Sequence, residues 1–301
     1  MSQIWVAGEV LIDLIPAGAT SSAIVGGGPA NTAMALAKLG FDSFFIDGIS
    51  TDAYGMQVKT QLLADGVNLD YVNFSDLPTC TADVSLDANG GASYVFTIAG
   101  TATFDFSHDW LPEPAGDHPA VLHIGTLATI IEPGAAILHE WATKVADYAP
   151  IVFDPNVRSS VLGDRDLYQA AVAKWAGISS VIKVSDDDLA WLYPGRDLID
   201  LANQWISQGV GLVVITRGAD GLTGVISEGV ITVPGVKVVV VDTVGAGDTV
   251  GAIVVEALVE KGLGKLHGDV LQAVLTRAAK AAAITCSRAG AVPPTREEIE
   301  D

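Results

Sequence analysis

The stretch Asp242-Thr243-Val244-Gly245-Ala246-Gly247-Asp248-Thr249 collects the parts of an acid–base site. Gly245 and Gly247 permit a tight turn and leave backbone N–H groups uncovered, and at a helix N-terminus those groups form a preorganised anion hole. Asp248 then falls in the first helical turn. A carboxylate there can accept a proton from a hydroxyl while the hole holds developing negative charge. An ordinary glycine turn capped by Asp248 reads the same way at this level. A second cluster, Gly26-Gly27-Gly28-Pro29-Ala30-Asn31, opens another segment of helical pattern, with Pro29 suited to its first turn. Its glycines let a ligand approach the backbone closely, and Asn31 offers donors and acceptors; a flexible loop before a helix is the plain alternative. This cluster matches neither G-x-G-x-x-G nor G-x-x-x-x-G-K-[ST], so a nicotinamide dehydrogenase or a P-loop enzyme loses support.

Elements that must carry these residues follow from hydrophobic pattern. Short β-branched runs at Ile4–Ala7, Phe44–Asp47, Val121–Ile124, Ile151–Asp154, Val181–Val184 and Leu212–Thr216 predict strands. Helical patterns lie between them, such as Pro29–Leu39 and Tyr54–Ala64, ending near Gly40 and Gly66. This alternation predicts an α/β fold, a mainly parallel sheet with helices on both faces. Two regions break the rhythm: Leu11–Val25 and Cys80–Ile98 read as strands with no helix between the pieces, and Asp87-Ala88-Asn89-Gly90-Gly91 signals a hairpin between Thr81–Leu86 and Ser93–Ile98. Either a small protruding β-sheet lid or an antiparallel edge extension of the main sheet accommodates them. We take the lid, with 11–25 and 71–104 forming it and 1–10, 26–70 and 105–301 forming the α/β body. Leu222–Ile226 and Val230–Val241 read as a later antiparallel pair, with Val238–Val241 leading into the glycine turn, and Val270–Ala283 as a closing helix.

Composition narrows the function. The chain has 301 residues, 16 Lys+Arg against 36 Asp+Glu and a formal charge of −20, which disfavours nucleic acid or an anionic membrane as partner. With 50% hydrophobic and 17% charged residues, it is not a disordered chain. Its 2 cysteines, Cys80 and Cys286, form no CxxC or His-rich spacing, so a disulfide framework or zinc site is not expected. No basic, apolar leader and no uncharged run of membrane-spanning length is present, and a cytoplasmic location is expected. An anionic ligand would need a locally positive site within this acidic molecule.

Taken together, the two glycine clusters resemble the signatures of the PfkB, or ribokinase-like, carbohydrate kinases: Gly-Gly followed by Asn near the N-terminus, and Asp-Thr-x-Gly-Ala-Gly-Asp near the C-terminus. The resemblance runs from Gly8 to Pro293 and implies a ribokinase-like fold whose β-sheet inserts are the family's lid. It implies ATP-dependent phosphorylation of a sugar's primary hydroxyl with Mg²⁺, Asp248 being the general base and the Gly245, Ala246, Gly247 and Asp248 amides the anion hole. Finer features resemble the fructokinase branch. Gly8-Glu9-Val10-Leu11-Ile12-Asp13 is similar to its opening strand, with Asp13 on sugar hydroxyls, and Gly27, Gly28 and Asn31 stand at sugar-contacting positions. Phe153-Asp154-Pro155-Asn156-Val157-Arg158 resembles its Asp-Pro-Asn-x-Arg segment. That gives Arg158 the transferring phosphate to neutralise; capping the following helix is its other reading. Phe96 would cover the sugar ring, and Ile98 stands where 2-keto-3-deoxygluconate kinases place an arginine for the substrate carboxylate.

For the nucleotide, the resemblance implies Lys183, Ser185, Thr216, Arg217, Gly218, Gly221, Gly245 and Gly247. The family's Asn-x-x-Glu is replaced here by Ser185 and Asp188. Asp188 is the expected Mg²⁺ residue, Asp187 competes for the role, and a helix N-terminus favouring negative charge explains the acidic triplet as well. Ala279 stands where some ribokinases carry an Asn near adenine, so apolar adenine contacts are expected. A monovalent cation such as K⁺ is expected beside Asp242 and Val244 and the loop near Cys286–Gly290. A homodimer through the lid is the expected assembly. Fructose is the expected sugar; 2-keto-3-deoxygluconate, ribose or a nucleoside are the alternatives, and a non-catalytic sugar- or nucleotide-binding regulator is the alternative class.

Overall fold

In the computed structural model, which describes residues 3–17, 20–86, 92–116 and 118–300, the apolar runs align into sheets. The strands are β1 (Gln3–Ala7), β2 (Leu11–Ala17), β3 (Thr20–Gly26), β4 (Asp42–Ile46), β5 (Gly48–Ser50), β6 (Asn73–Ser75), β7 (Thr81–Leu86), β8 (Ala92–Thr97), β9 (Val121–Gly125), β10 (Ile151–Asp154), β11 (Val181–Ser185), β12 (Leu212–Thr216), β13 (Leu222–Ile226) and β14 (Gly229–Val233). The helices are α1 (Gly28–Lys38), α2 (Ala53–Ala64), α3 (Gly134–Val145), α4 (Arg165–Ala176), α5 (Asp186–Leu192), α6 (Leu198–Ser207), α7 (Ala246–Lys261), α8 (Gly268–Cys286) and α9 (Arg296–Glu300). Gly40 and Gly66 follow α1 and α2 with φ of 86° each, the left-handed backbone that ends a helix.

An 8-stranded sheet runs β14-β13-β12-β11-β10-β9-β1-β4, parallel except for the antiparallel pairs β12–β13 and β13–β14. Its strands are apolar throughout because each face is covered. On one side Ile4, Val6 and Val214 pack with residues of α1, α7 and α8; on the other Trp5, Ile151 and Val213 pack with α3, α4 and α6. β1 sits between β9 and β4, so the chain winds outward in both directions from the β1/β9 boundary. Loops diverge at such a switch point and leave a crevice beyond the strands' carboxyl ends.

The two inserts supply a separate 4-stranded sheet, β3-β2-β7-β8, and none of these strands joins the main sheet as an edge extension; β6, which the 71–104 bounds counted with the lid, pairs instead with β5 in a 2-stranded sheet. Asp13 pairs with Ile24 and Ala82, and Ala82 with Phe96, so Asp13 and Phe96 stand on one face of this sheet. The Asp87–Gly91 turn lies outside the described residues.

One sequence expectation fails here. The run Val230–Val241 supplies strand only to Val233, and Val238–Val241 is no strand. Pro234 has no N–H to donate to a ladder, and Gly235 is packed against the Ala219 backbone. The valines beyond run along the surface, with Val239 84% exposed, and Val241 N–H donates to the Cys286 carbonyl. Valine-rich composition marks β-propensity but cannot supply a partner strand.

Candidate active site

Five chain segments meet in the crevice at the switch point: Gly8–Glu9 after β1, the Gly26–Gly28 turn into α1, Gly125–Thr126 after β9, Asp154–Asn156 at the end of β10, and the start of α7. Gly245 caps α7 with φ 79°, a backbone that a β-carbon would disfavour, and Ala291 lies 2.7 Å from where that carbon would sit. No side chain caps this helix, so its first amides remain directed at the crevice.

Asp248 is 8% exposed, and its Oδ2 accepts a 2.8 Å hydrogen bond from Asn31 Nδ2. The two glycine clusters, 217 residues apart, are thereby joined at one bond. Burial raises the Asp248 carboxyl above its ordinary range, against the pull of Lys183, the Asn31 bond and Arg158. Gly28 leaves room for Oδ1: a β-carbon there would stand 2.8 Å from Thr126 Cγ2, 2.9 Å from Asn156 Nδ2 and 3.3 Å from Asp248 Oδ1. Gly27 has φ 109° and lies against the Glu9 carbonyl, so its contribution is a close backbone crossing.

Lys183 Nζ lies 2.5 Å from Asp154 Oδ2 in a buried ion pair, and 3.2 Å from where a β-carbon on Gly247 would sit. Burial works to lower its pKa, but Asp154 and Asp248 outweigh burial and raise it. Arg158 does not cap the following helix, whose N-cap is Asp164. Instead its Nη1 donates to Asn156 Oδ1 at 2.6 Å, and its charge acts on Glu9, Asp13 and Asp248. Asp13 is pushed up to about 6 by burial, with Arg158 opposing.

Several participants escaped sequence reasoning. Glu9, 3% exposed, accepts the Thr126 hydroxyl and the Ala128 N–H, and burial pushes it up to about 7. Thr126 and Asn156 hold φ of 56° and 37°, a strained conformation for residues other than glycine. Both strained residues lie against Gly28, their side chains 2.8 and 2.9 Å from where its β-carbon would stand. The Asn in Asp-Pro-Asn was the available signal for Asn156, since Asn tolerates that backbone best.

The nucleotide-side residues divide. Thr216, Arg217, Gly218 and Gly221 form a tight turn after β12, with Arg217 N–H donating to the Gly221 carbonyl at 2.9 Å and Gly218 and Gly221 at φ 49° and 95°. Ser185 caps α5 by accepting from Asp188 N–H at 2.9 Å. Asp188 in turn accepts from Val157 N–H at 3.0 Å and Ser185 N–H at 3.4 Å, so both its oxygens face backbone donors. The helix-start reading of the acidic triplet is the one its hydrogen bonds describe. Among the described residues no group of three or more His, Cys, Asp or Glu could hold a metal ion. Magnesium, which commonly binds mainly through substrate phosphates and water, would find no protein cage here, and Asp188 is not preorganised as its ligand. Ala279 is buried, 6% exposed, and packs in the core beneath α8. Asp242 bridges the two segments expected at a cation: Oδ1 accepts from Val244 N–H at 3.1 Å and Oδ2 from Gly290 N–H at 2.9 Å.

A buried carboxylate beside the uncapped N-terminus of α7, with Lys183 and Arg158 acting on it and a separate 4-stranded sheet on the α/β body, is the arrangement these segments build. The chain matches the pfkB family carbohydrate kinases over residues 1–298 and belongs to that family; it is a sugar kinase. The fructokinase of Rhizobium leguminosarum bv. trifolii is 36% identical over 256 residues, 83% of this chain and 78% of that one. The crystal structure of a double mutant of Vibrio cholerae O395 fructokinase in its fructose-, ADP- and potassium ion-bound form matches with a TM-score of 0.87 at 25% identity, covering 100% of this chain and 97% of that one. Aminoimidazole riboside kinase from Salmonella enterica, complexed with its riboside and an ATP analog, shares the fold, with a TM-score of 0.84 at 23% identity over 99% of this chain and 98% of that one. Among the described residues no helix is long and apolar enough to cross a membrane.

Proposed function

We propose that this protein transfers the γ-phosphate of ATP to the primary hydroxyl of a neutral ketohexose, D-fructose. The observation that carries the chemistry is the Asn31–Asp248 bond beside the uncapped α7 N-terminus. Asn31 fixes one carboxylate oxygen of Asp248, leaving Oδ1 toward the Gly28 gap to accept the hydroxyl proton as the oxygen attacks phosphorus in line. The amides of Gly245–Asp248, Lys183 and Arg158 draw the charge of the transferring phosphate, so an acidic protein still offers a local cationic site. Bound through the nucleotide phosphates, Mg²⁺ would add charge neutralisation to that of Lys183 and Arg158. Thr216, Arg217, Gly218 and Gly221 are proposed to cradle the nucleotide.

A neutral substrate is favoured by charge. The lid segments 11–25 and 71–104 contain no Lys or Arg, so the lid itself offers the carboxylate of an acid sugar no partner. Asp13 and Asn31 would take sugar hydroxyls, and Phe96, on the Asp13 face, would cover the ring. Fructose in the Vibrio cholerae relative favours the ketohexose within that class. Segments 11–25 and 71–104 are proposed to close as the lid and exclude water, and Ile24, exposed on the Asp13 face, to join a second copy's lid. A potassium ion beside Asp242 and Val244 would hold the anion hole in register. Purified protein with ATP, Mg²⁺ and a panel of sugars, followed for ADP, tests the reading: sugar-dependent ADP with fructose supports it, and turnover with a riboside alone replaces the substrate.

A further inference from the structure

A lysine in the middle of a buried strand needs an anion, and Lys183 has three within its field: Asp154 from β10, Asp248 from α7 and Asp188 from α5. It also faces the neutral ring of His123 from β9. Asp188 is held by the Val157 and Ser185 amides, and Asp248 by Asn31. Asp154 takes the ammonium. β10 and β11 run side by side with Phe153 opposite Ile182, so the next residue of each strand, Asp154 and Lys183, emerge together, and both side chains are at most 5% exposed. The other oxygen of Asp154, Oδ1, is buried with no hydrogen-bond partner, so among the described residues the carboxylate's hydrogen bonding is to Lys183 alone. A buried carboxylate left half-satisfied is costly to stability, and a positional duty accounts for its being kept.

We infer that Asp154 is a positioning residue for phosphoryl transfer: it holds Lys183 at the mouth of the α7 amide hole, against Gly247, and so keeps the ammonium from closing onto Asp248, whose Oδ1 must stay free for the hydroxyl proton. Without Asp154, Lys183 swings to the nearest remaining carboxylate, misplacing the cation and occupying the base in one movement. The inference rests on the reaction proposed above.

Asp154→Asn keeps the shape and removes the charge. Its kcat falls at least ~10-fold while the sugar KM stays within ~2-fold, because the displaced ammonium serves the phosphate and not the sugar. Lys183→Met falls ~100-fold, as for loss of one charge-stabilising donor, and adding Asp154→Asn to it changes kcat by less than ~2-fold, since Asp154 acts through Lys183. Wild-type turnover in Asp154→Asn overturns the inference. So does a further ~10-fold loss on the Lys183→Met background, which makes Asp154 a support in its own right. Calorimetry on sugar-free protein gives an independent reading: ATP binds at least ~5-fold more weakly to Asp154→Asn, with adenosine binding unchanged. Equal ATP affinity overturns the inference whatever the sugar, whereas the ATP loss in a protein that turns over no sugar overturns the proposed reaction alone.

Discussion

Gly28→Ala separates activity from stability more cleanly than any other single change in the crevice. Gly28 opens α1 and its φ is not in the left-handed range, so alanine suits the backbone. The added methyl, however, falls 2.8 Å from Thr126 Cγ2, 2.9 Å from Asn156 Nδ2 and 3.3 Å from Asp248 Oδ1. Ordinary contact needs about 3.5 Å or more between such atoms, so the neighbours must retreat by several tenths of an ångström. The methyl also fills the space through which a hydroxyl reaches Asp248. Misplacement approaching 1 Å at a reacting centre costs about 100-fold in rate, and the expected fall in kcat/KM is of that order. Stability should fall by at most about 2 kcal/mol, helix propensity offsetting part of the local crowding. Gly27→Ala behaves oppositely: with φ 109° and the Glu9 carbonyl 2.5 Å from the new carbon, it loses about 2 kcal/mol or more of stability. Steady-state kinetics and thermal melts on both variants provide the check. Wild-type kcat/KM in Gly28→Ala would refute the placement of the reacting hydroxyl.

Other outcomes follow from the same geometry. Fructose should exceed 2-keto-3-deoxygluconate by at least ~10-fold in kcat/KM, because Ile98 and a lid without cations offer the acid no partner; comparable efficiencies would sink the assignment. Activity should rise in K⁺ relative to a large organic cation at matched ionic strength, and equal rates would remove the site at Asp242 and Val244. His123 is 1% exposed with both ring nitrogens unpartnered, and burial pushes it down to about 3. The unfolded chain therefore takes up a proton below pH about 6.5 that folded His123 refuses until about 3, so this residue removes up to ~1.4 kcal/mol of stability per pH unit on acidification. Glu9, raised to about 7, and Asp13 and Asp154, raised to about 6, act in the opposite sense over their own windows. His123→Leu isolates the histidine: its melting temperature should fall less than wild type between pH 6.5 and 4.5, and parallel curves would contradict the buried neutral ring.

Central strands were legible because burial on both faces leaves only apolar residues, as in Val213 and Val214 at 0% exposure. The glycine turns at Gly27 and Gly245 were legible because few residue types tolerate their backbone. Val238–Val241 misled because valine reports a preference for extended backbone and not a neighbour to pair with. At Asp188 the family position and the helix start offered two readings, and the hydrogen bonds from the Val157 and Ser185 amides describe the second. Glu9, Thr126 and Asn156 stayed hidden because their roles come from strands distant in sequence ending side by side, and from positive φ values that composition does not reveal. The Asp154–Lys183 pair left one trace, a lysine inside Val181-Ile182-Lys183-Val184, whose burial requires an acid on an adjoining strand.

The central claim is that Asp248 removes the proton from the sugar hydroxyl. Asp248→Asn keeps the size of the side chain and the Asn31 neighbour while removing the base, so its turnover under saturating sugar and ATP is the most direct measurement. The account predicts a kcat lower by at least ~100-fold, the usual worth of a general base, with ATP affinity retained. A kcat near that of the wild type in the folded variant would contradict it.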